Sequence, residues 1–280
     1  MAFARVTPGE FWLTFRLVIS VLGRRRLLVP FLILGVAELV TIGALSAFYA
    51  PSLSPAMEPV VRLFGGEAAT HYPQLYVAFP SLVERSFAAV HILLGSFLMG
   101  AATMLFWRTF SRGRCSLPEG FDEARRRYPQ LLAVALVIVF LAVTLSTAAY
   151  RLASGGDGGI LSAPFVARGI AVVLGLLVQT LAAYAVPSII ISNLGFLRAL
   201  RRSLEVVARN PLVTFLIVVV AFVPHVPLRY VASKSLFIVE KLRPELVAWL
   251  TGLDVLVGIV TGFFLIGAMT RLYLFATREE

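Results

Sequence analysis

The chain has 280 residues and a formal net charge of +10, with 59% hydrophobic residues, only 14% charged ones and a mean hydropathy of +0.89. Soluble globular chains carry about 25% charged residues, so a soluble enzyme, a disordered chain and a nucleic-acid binder are disfavoured, and an all-α polytopic membrane protein is expected. The one cysteine, Cys115, cannot close an intrachain disulfide, and no CxxC or Cys/His cluster offers a metal site. Neither a metal nor a cofactor is expected.

Near the N-terminus, the apolar run from Phe11 to Leu22 is followed by Arg24, Arg25 and Arg26 rather than by a small-residue cleavage site. It therefore does not read as a cleavable signal peptide. A hydrocarbon core of about 30 Å needs roughly 20 apolar residues per helix. Six stretches qualify, 27–50, 86–107, 131–150, 169–192, 211–228 and 246–270, within a single integral membrane domain of residues 1–280. The fifth is the shortest, because Pro224 and Pro227 frame His225 near its end. An even number of spans puts both termini on one side. With that side cytoplasmic, the inner segments hold 17 basic residues against 8 outside, the bias expected for a bacterial-type inner membrane with both termini in the cytoplasm.

Between the first two spans lies the longest loop, Pro51 to Ser86. Its Met57, Val60, Val61, Phe64, Tyr72, Tyr76 and Phe79 read as anchors at headgroup level, with a docking surface as the alternative. The run Gly155, Gly156, Asp157, Gly158, Gly159 lacks the Lys-Ser/Thr of a phosphate loop and reads as a connector.

Each odd-numbered span is preceded by an amphipathic or apolar segment, then arginine, then Pro30, Pro129 or Pro211. Proline tolerates the first helical turn, so these three residues are expected to mark where the chain turns into the membrane. The resulting unit, an interfacial helix followed by a transmembrane hairpin, would occur three times. In the second copy Ser116 and Glu119 form a capping box, with Asp122/Arg126 and Glu123/Arg127 as supporting pairs. In the third, Leu197, Leu200, Leu204 and Val207 share a face opposite Arg198, Arg201, Arg202, Glu205 and Arg209. A helix lying along the inner surface from Leu194 to Arg209 is expected. The P-x-[DE]-x-x-[KR] signature of mitochondrial carriers, which also have three hairpin repeats, is absent after all three odd spans.

Around the fourth and fifth spans the sequence carries Pro187 and then Ala199, Leu200, Arg201, Arg202 and Ser203. Over about 35 residues, Val186 to Val220, it resembles the membrane domain associated with glycerophosphodiester phosphodiesterases and its stand-alone six-helix bacterial relatives. The resemblance implies a six-helix architecture and little about activity.

An ionisable residue inside a span costs about 2.5 to 3.5 kcal/mol on insertion scales and calls for a partner or a purpose. Glu38 and Gln179 both lie near the middle of their spans, so a protonated Glu38 bonded to Gln179 is the structural expectation, with a proton or cation site as the functional one. His91 and Asp254 lie at matching depth from the outer side and could pair. Gly258 and Gly262 form a GxxxG for close helix packing. Of the 25 basic residues 23 are arginine, which binds phosphate bidentately. Arg24, Arg25, Arg26, Arg125, Arg126, Arg127, Arg198, Arg201, Arg202 and Arg209 are candidate contacts for phospholipid headgroups, anionic ones included. No HExxH, GxSxG or Walker sequence occurs, so no catalytic residue is assigned and an enzyme is not expected. The expected role is a non-catalytic membrane component that scaffolds or anchors an envelope or lipid-associated assembly, with a protein partner or a second copy of itself and no nucleic acid. The alternative is a small transporter or proton-coupled permease built on Glu38, Gln179, His91 and Asp254.

Overall fold

The computed structural model describes residues 7–113, 116–154 and 164–277, and every element among them is helical. Cys115 and the glycine run at 155–159 lie outside the described residues. In chain order the helices are α1 (Pro8–Ser20), α2 (Arg25–Ser46), α3 (Ser54–Gly65), α4 (Gln74–Val90), α5 (Ser96–Arg112), α6 (Leu117–Ser154), α7 (Pro164–Ala182), α8 (Ala185–Ile190), α9 (Phe196–Arg209), α10 (Pro211–Phe222), α11 (His225–Ala232), α12 (Ser235–Lys241) and α13 (Leu246–Thr277). A 3₁₀ turn, Glu67–Thr70, precedes α4, and a π turn, His91–Gly95, joins α4 to α5.

Five helical stretches are long and apolar enough to cross a membrane: Arg25–Ser46, Gln74–Ser111, Leu117–Ala149, Gly169–Ile190 and Leu246–Thr277. A sixth is counted if α9 and α10, bent by 103° at Asn210, are taken together. Alone, α10 has 12 residues, about 18 Å at 1.5 Å per residue. The fifth expected span, 211–228, is thus cut short: the helix stops at Phe222 and restarts at His225, with Pro224 at the break.

Contacts divide the chain into two compact units, one of residues 1–28, 96–221 and 264–280, the other of 29–95 and 222–263. In the first, α5 and α6 pack as a hairpin, α7 lies on α6, and α8 and α9 close against them. Ala101, Met104, Ala124, Leu131, Ile189 and Ala199 are among its buried residues. The hairpin is close because Gly100 faces Leu131 and Gly120 faces Leu105, positions where a Cβ would come within 3 Å of the opposite side chain. At the end of α5, Gly113 takes φ +69° and donates its N–H to the Thr109 carbonyl, the left-handed stop that glycine supplies most cheaply.

The three expected repeats take three different shapes. In the first the chain turns at residues 21–24, and Pro30 sits inside α2 rather than at the turn. In the second there is no turn: α6 is one 38-residue helix that passes through Pro129. Its first turns are held by the Glu119 N–H on Ser116 Oγ and by Arg127 on Glu123 at 3.2 Å, local support that carries the helix across the proline. The third copy, α9 bending into α10 beside Pro211, has the expected corner.

The second unit contains a folded cap in place of a loop of anchors. Val61, Tyr76 and Phe79 are buried in a core with Leu45, Leu75, Leu82, Ile238 and Val247, while Met57 and Phe64 pack against it. Tyr72 alone of the seven expected anchors is strongly exposed among the aromatics, and its ring lies edge-on to Tyr49 at 5.8 Å. Outside the spans, burial and then the neighbouring Tyr76 and Tyr72 push the Tyr49 hydroxyl up to about 12. The amphipathic pattern of 51–86 is therefore that of a small globular core, which has the same alternation as a membrane anchor but turns the apolar face onto protein.

Candidate functional site

Helices α2 and α13 run antiparallel in the second unit. A Cβ at Gly252 would meet Leu39, one at Gly35 would meet Ile259 and Val255, and one at Gly262 would meet Phe31. These meetings set a register in which position 38 of α2 stands level with position 254 of α13. Small residues allow that close approach, as they do generally between membrane helices.

On α2, Glu38 is almost fully buried, and its Oε1 lies 2.5 Å from His91 Nε2. His91 is the first residue of the π turn. Such a turn holds one residue more than an α turn and often marks a functional position. Gly95 closes it, with its Cβ position 3.5 Å from the imidazole Nδ1, and the His91 side chain is 47% exposed.

The second pair stands on α13, where Asp254, Gly258 and Thr261 share one face at i, i+4 and i+7. His225, at the start of α11, lies over Gly258, whose Cβ position is 3.7 Å from its Cε1. Its Nδ1 lies 2.5 Å from Asp254 Oδ1 and its Nε2 lies 2.9 Å from Thr261 Oγ1. Arg229, one turn further along α11, donates from Nε to the other carboxylate oxygen at 3.2 Å. An ionised carboxylate only accepts, so Nδ1 carries a hydrogen, and in the neutral ring Nε2 accepts from the threonine hydroxyl.

Two of the four expected polar residues thus meet each other in a pairing different from the one expected. Glu38 takes His91 rather than Gln179 as its partner, and Gln179 is an exposed residue of α7 in the first unit. Asp254 takes His225 rather than His91. Two groups expected at one depth still need helices that adjoin, and α13 adjoins α2 through Gly35, Gly252 and Gly262. His225, Thr261 and Arg229 are the members that sequence reasoning missed. Their signal was available: a histidine beside a helix-breaking proline, and a threonine seven residues after an intramembrane aspartate.

The glycines of the GxxxG serve packing within the chain, Gly258 seating His225 and Gly262 seating Phe31. Of the headgroup candidates, Arg24 donates to the Gly113 carbonyl at 3.1 Å, Arg25, Arg26, Arg125 and Arg126 are exposed, and Arg127 is held by Glu123. On α9, Arg198 and Arg209 are exposed, while Arg201 reaches Glu205 at 3.2 Å and Arg202 is half-buried. Among the described residues no cluster of three His, Cys, Asp or Glu is placed to hold a metal ion.

Compared with known proteins, the chain matches no family model, no curated protein and no solved structure. What the fold defines is a class: an all-helical, multi-pass membrane protein.

Proposed function

We propose that this protein is a non-catalytic component of a bacterial-type inner membrane, with both termini in the cytoplasm, that anchors an envelope or lipid-associated assembly. The observation that supports this reading is the build of α9. One face, Ala199, Ser203, Val206 and Val207, is buried in the first unit. A second, Leu197 and Leu204, is apolar and exposed, continued by Leu212 beyond the corner. The third carries Arg198, Arg201, Glu205 and Arg209. A helix with an apolar ridge beside a basic one fits the headgroup boundary, where anionic phospholipids complement the arginines. Ser203 fixes its position: the hydroxyl accepts from the Tyr184 N–H at 3.0 Å and donates to the Leu181 carbonyl at 2.7 Å, the two groups left open where α7 breaks before α8. In membranes solubilised with mild detergent, the wild type is expected to migrate in native gels as part of a larger assembly or a homo-oligomer. Migration as a single chain under those conditions would count against an anchoring role.

A second reading, a proton-coupled permease, is favoured by one specific observation. Two carboxylate–imidazole pairs stand at one level of adjoining helices, where ionisable groups are expensive and usually functional. A pH-dependent flux in reconstituted vesicles that vanishes in Glu38→Gln, but survives in a control variant far from the pairs, would establish it.

A further inference from the structure

We infer that His225, held between Asp254 and Thr261 of the membrane-spanning helix α13, is a binding site for a single proton drawn from the outer side. The inference deepens the permease reading, and it rests on how the site is satisfied in both of its charge states.

With a neutral ring, Nδ1–H donates to Asp254 Oδ1 and Nε2 accepts from the Thr261 hydroxyl. When a proton adds at Nε2, the new N–H points at Thr261 Oγ1, which now accepts. The threonine hydrogen has a second acceptor already in place, the Val257 carbonyl at 3.0 Å. The hydroxyl therefore rotates from donating to the ring to donating to the backbone, and no heavy atom has to move. One N–H bond forms and no other covalent bond forms or breaks. Only a group that both donates and accepts can serve both states, so a hydroxyl at position 261 has a chemical reason.

The charges balance in both states as well. With His225 neutral, the Asp254 carboxylate is countered by Arg229. With His225 protonated, Asp254 and the imidazolium form a half-buried couple of zero net charge, and Arg229, whose side chain is 60% exposed, keeps its charge at the surface. Among the described residues, the charged and titratable groups that face His225 are Asp254 and, through it, Arg229; Glu38 and His91 stand level with Asp254 and pair with each other. The chain of bonds also has a direction. Trp249 is 73% exposed on α13, as an aromatic at the interface often is. From it, Asp254 lies about 7.5 Å and Thr261 about 18 Å further along the helix at 1.5 Å per residue. Arg229, Asp254, His225 and Thr261 thus lead from the outer boundary inward.

The test uses the full chain in lipid nanodiscs with ¹⁵N-labelled histidine, titrated from about pH 5 to about pH 8, the range in which imidazole normally changes charge. The His225 signal is identified by its loss in His225→Gln. Wild type is expected to gain one proton reversibly at Nε2 while Nδ1 stays protonated throughout. Thr261→Ser should titrate as wild type does. Thr261→Val should bind the proton about tenfold more weakly, since a hydrogen bond to a charged group is worth more than one to the neutral ring. A His225 signal that does not change across the range, or a Thr261→Val titration that matches wild type, overturns the inference. Flux measured on the same samples separates the two ideas: titration without flux leaves the proton site standing and removes the permease, and flux without titration does the reverse.

Discussion

The two units fasten their helices with different chemistry. In the first, helix is joined to helix by hydroxyls: Ser203 repairs the α7–α8 break, Tyr184 OH meets Thr214 Oγ1 at 2.9 Å, and Ser192 meets Tyr273 OH at 2.6 Å, while the ion pairs Glu123–Arg127 and Arg201–Glu205 each stay within one helix. In the second, the pairs are Glu38 with His91 and Asp254 with His225 and Arg229. Hydroxyl bonds do not change with pH in the physiological range, whereas carboxylate–imidazole pairs can. The first unit is built to hold a shape and the second holds groups that can change state. An anchoring role draws on the first and a proton-linked role on the second.

The comparison can be broken by substitution. The largest effect is expected for Asp254→Ala, which removes the acceptor of both His225 and Arg229; in this half-buried site the loss of hydrogen bonds to a charged group is expected to cost about 2 to 3 kcal/mol, measurable by denaturant unfolding in bicelles. If the variant is as stable as wild type, the second unit does not depend on its ionic pair. Next is Ser203→Ala in the first unit. It removes one acceptor and one donor from the backbone groups at the α7–α8 break, for an expected loss of about 1 to 2 kcal/mol, equal at about pH 5 and about pH 8 because no titrating group is involved. A pH-dependent loss there would erase the contrast between the units. Tyr184→Phe should cost about 0.6 kcal/mol, the average for a hydrogen bond between membrane helices. The smallest effect concerns the cap. The Tyr49 hydroxyl is raised from 10.0 to about 12, so the folded cap holds its proton more tightly than the unfolded chain does. That contribution is complete below about pH 10 and is lost as pH rises towards 12. Wild type should therefore lose stability over that window more steeply than Tyr49→Phe, and parallel curves would contradict the assignment.

How far the sequence leads differs between these features. Uniformly apolar stretches such as Leu131–Tyr150 announce themselves, and the basic bias around them is countable. The cap was misread because Val61, Tyr76 and Phe79 have the pattern of a membrane anchor, and only tertiary contacts show that the apolar face is covered by protein. The pairings failed for a related reason. In a membrane protein lipid-facing positions are as apolar as core positions, so periodicity does not say which face of a span looks at which neighbour. Gly35, Gly252 and Gly262, which bring α2 and α13 together, read as ordinary small residues until their opposite numbers are known. The corner at Asn210 and the α9 helix were legible because charge there departs from the apolar background.

The π turn at His91–Gly95 also decides what the end of α4 presents. It holds one residue more than an α turn, and its first position is the histidine that meets Glu38. Of that pair the glutamate side chain is 10% exposed and the histidine side chain 47%. The carboxyl group is thus enclosed while the ring bonded to it keeps an open edge, so a route from a buried acid to its surroundings starts at a helix irregularity.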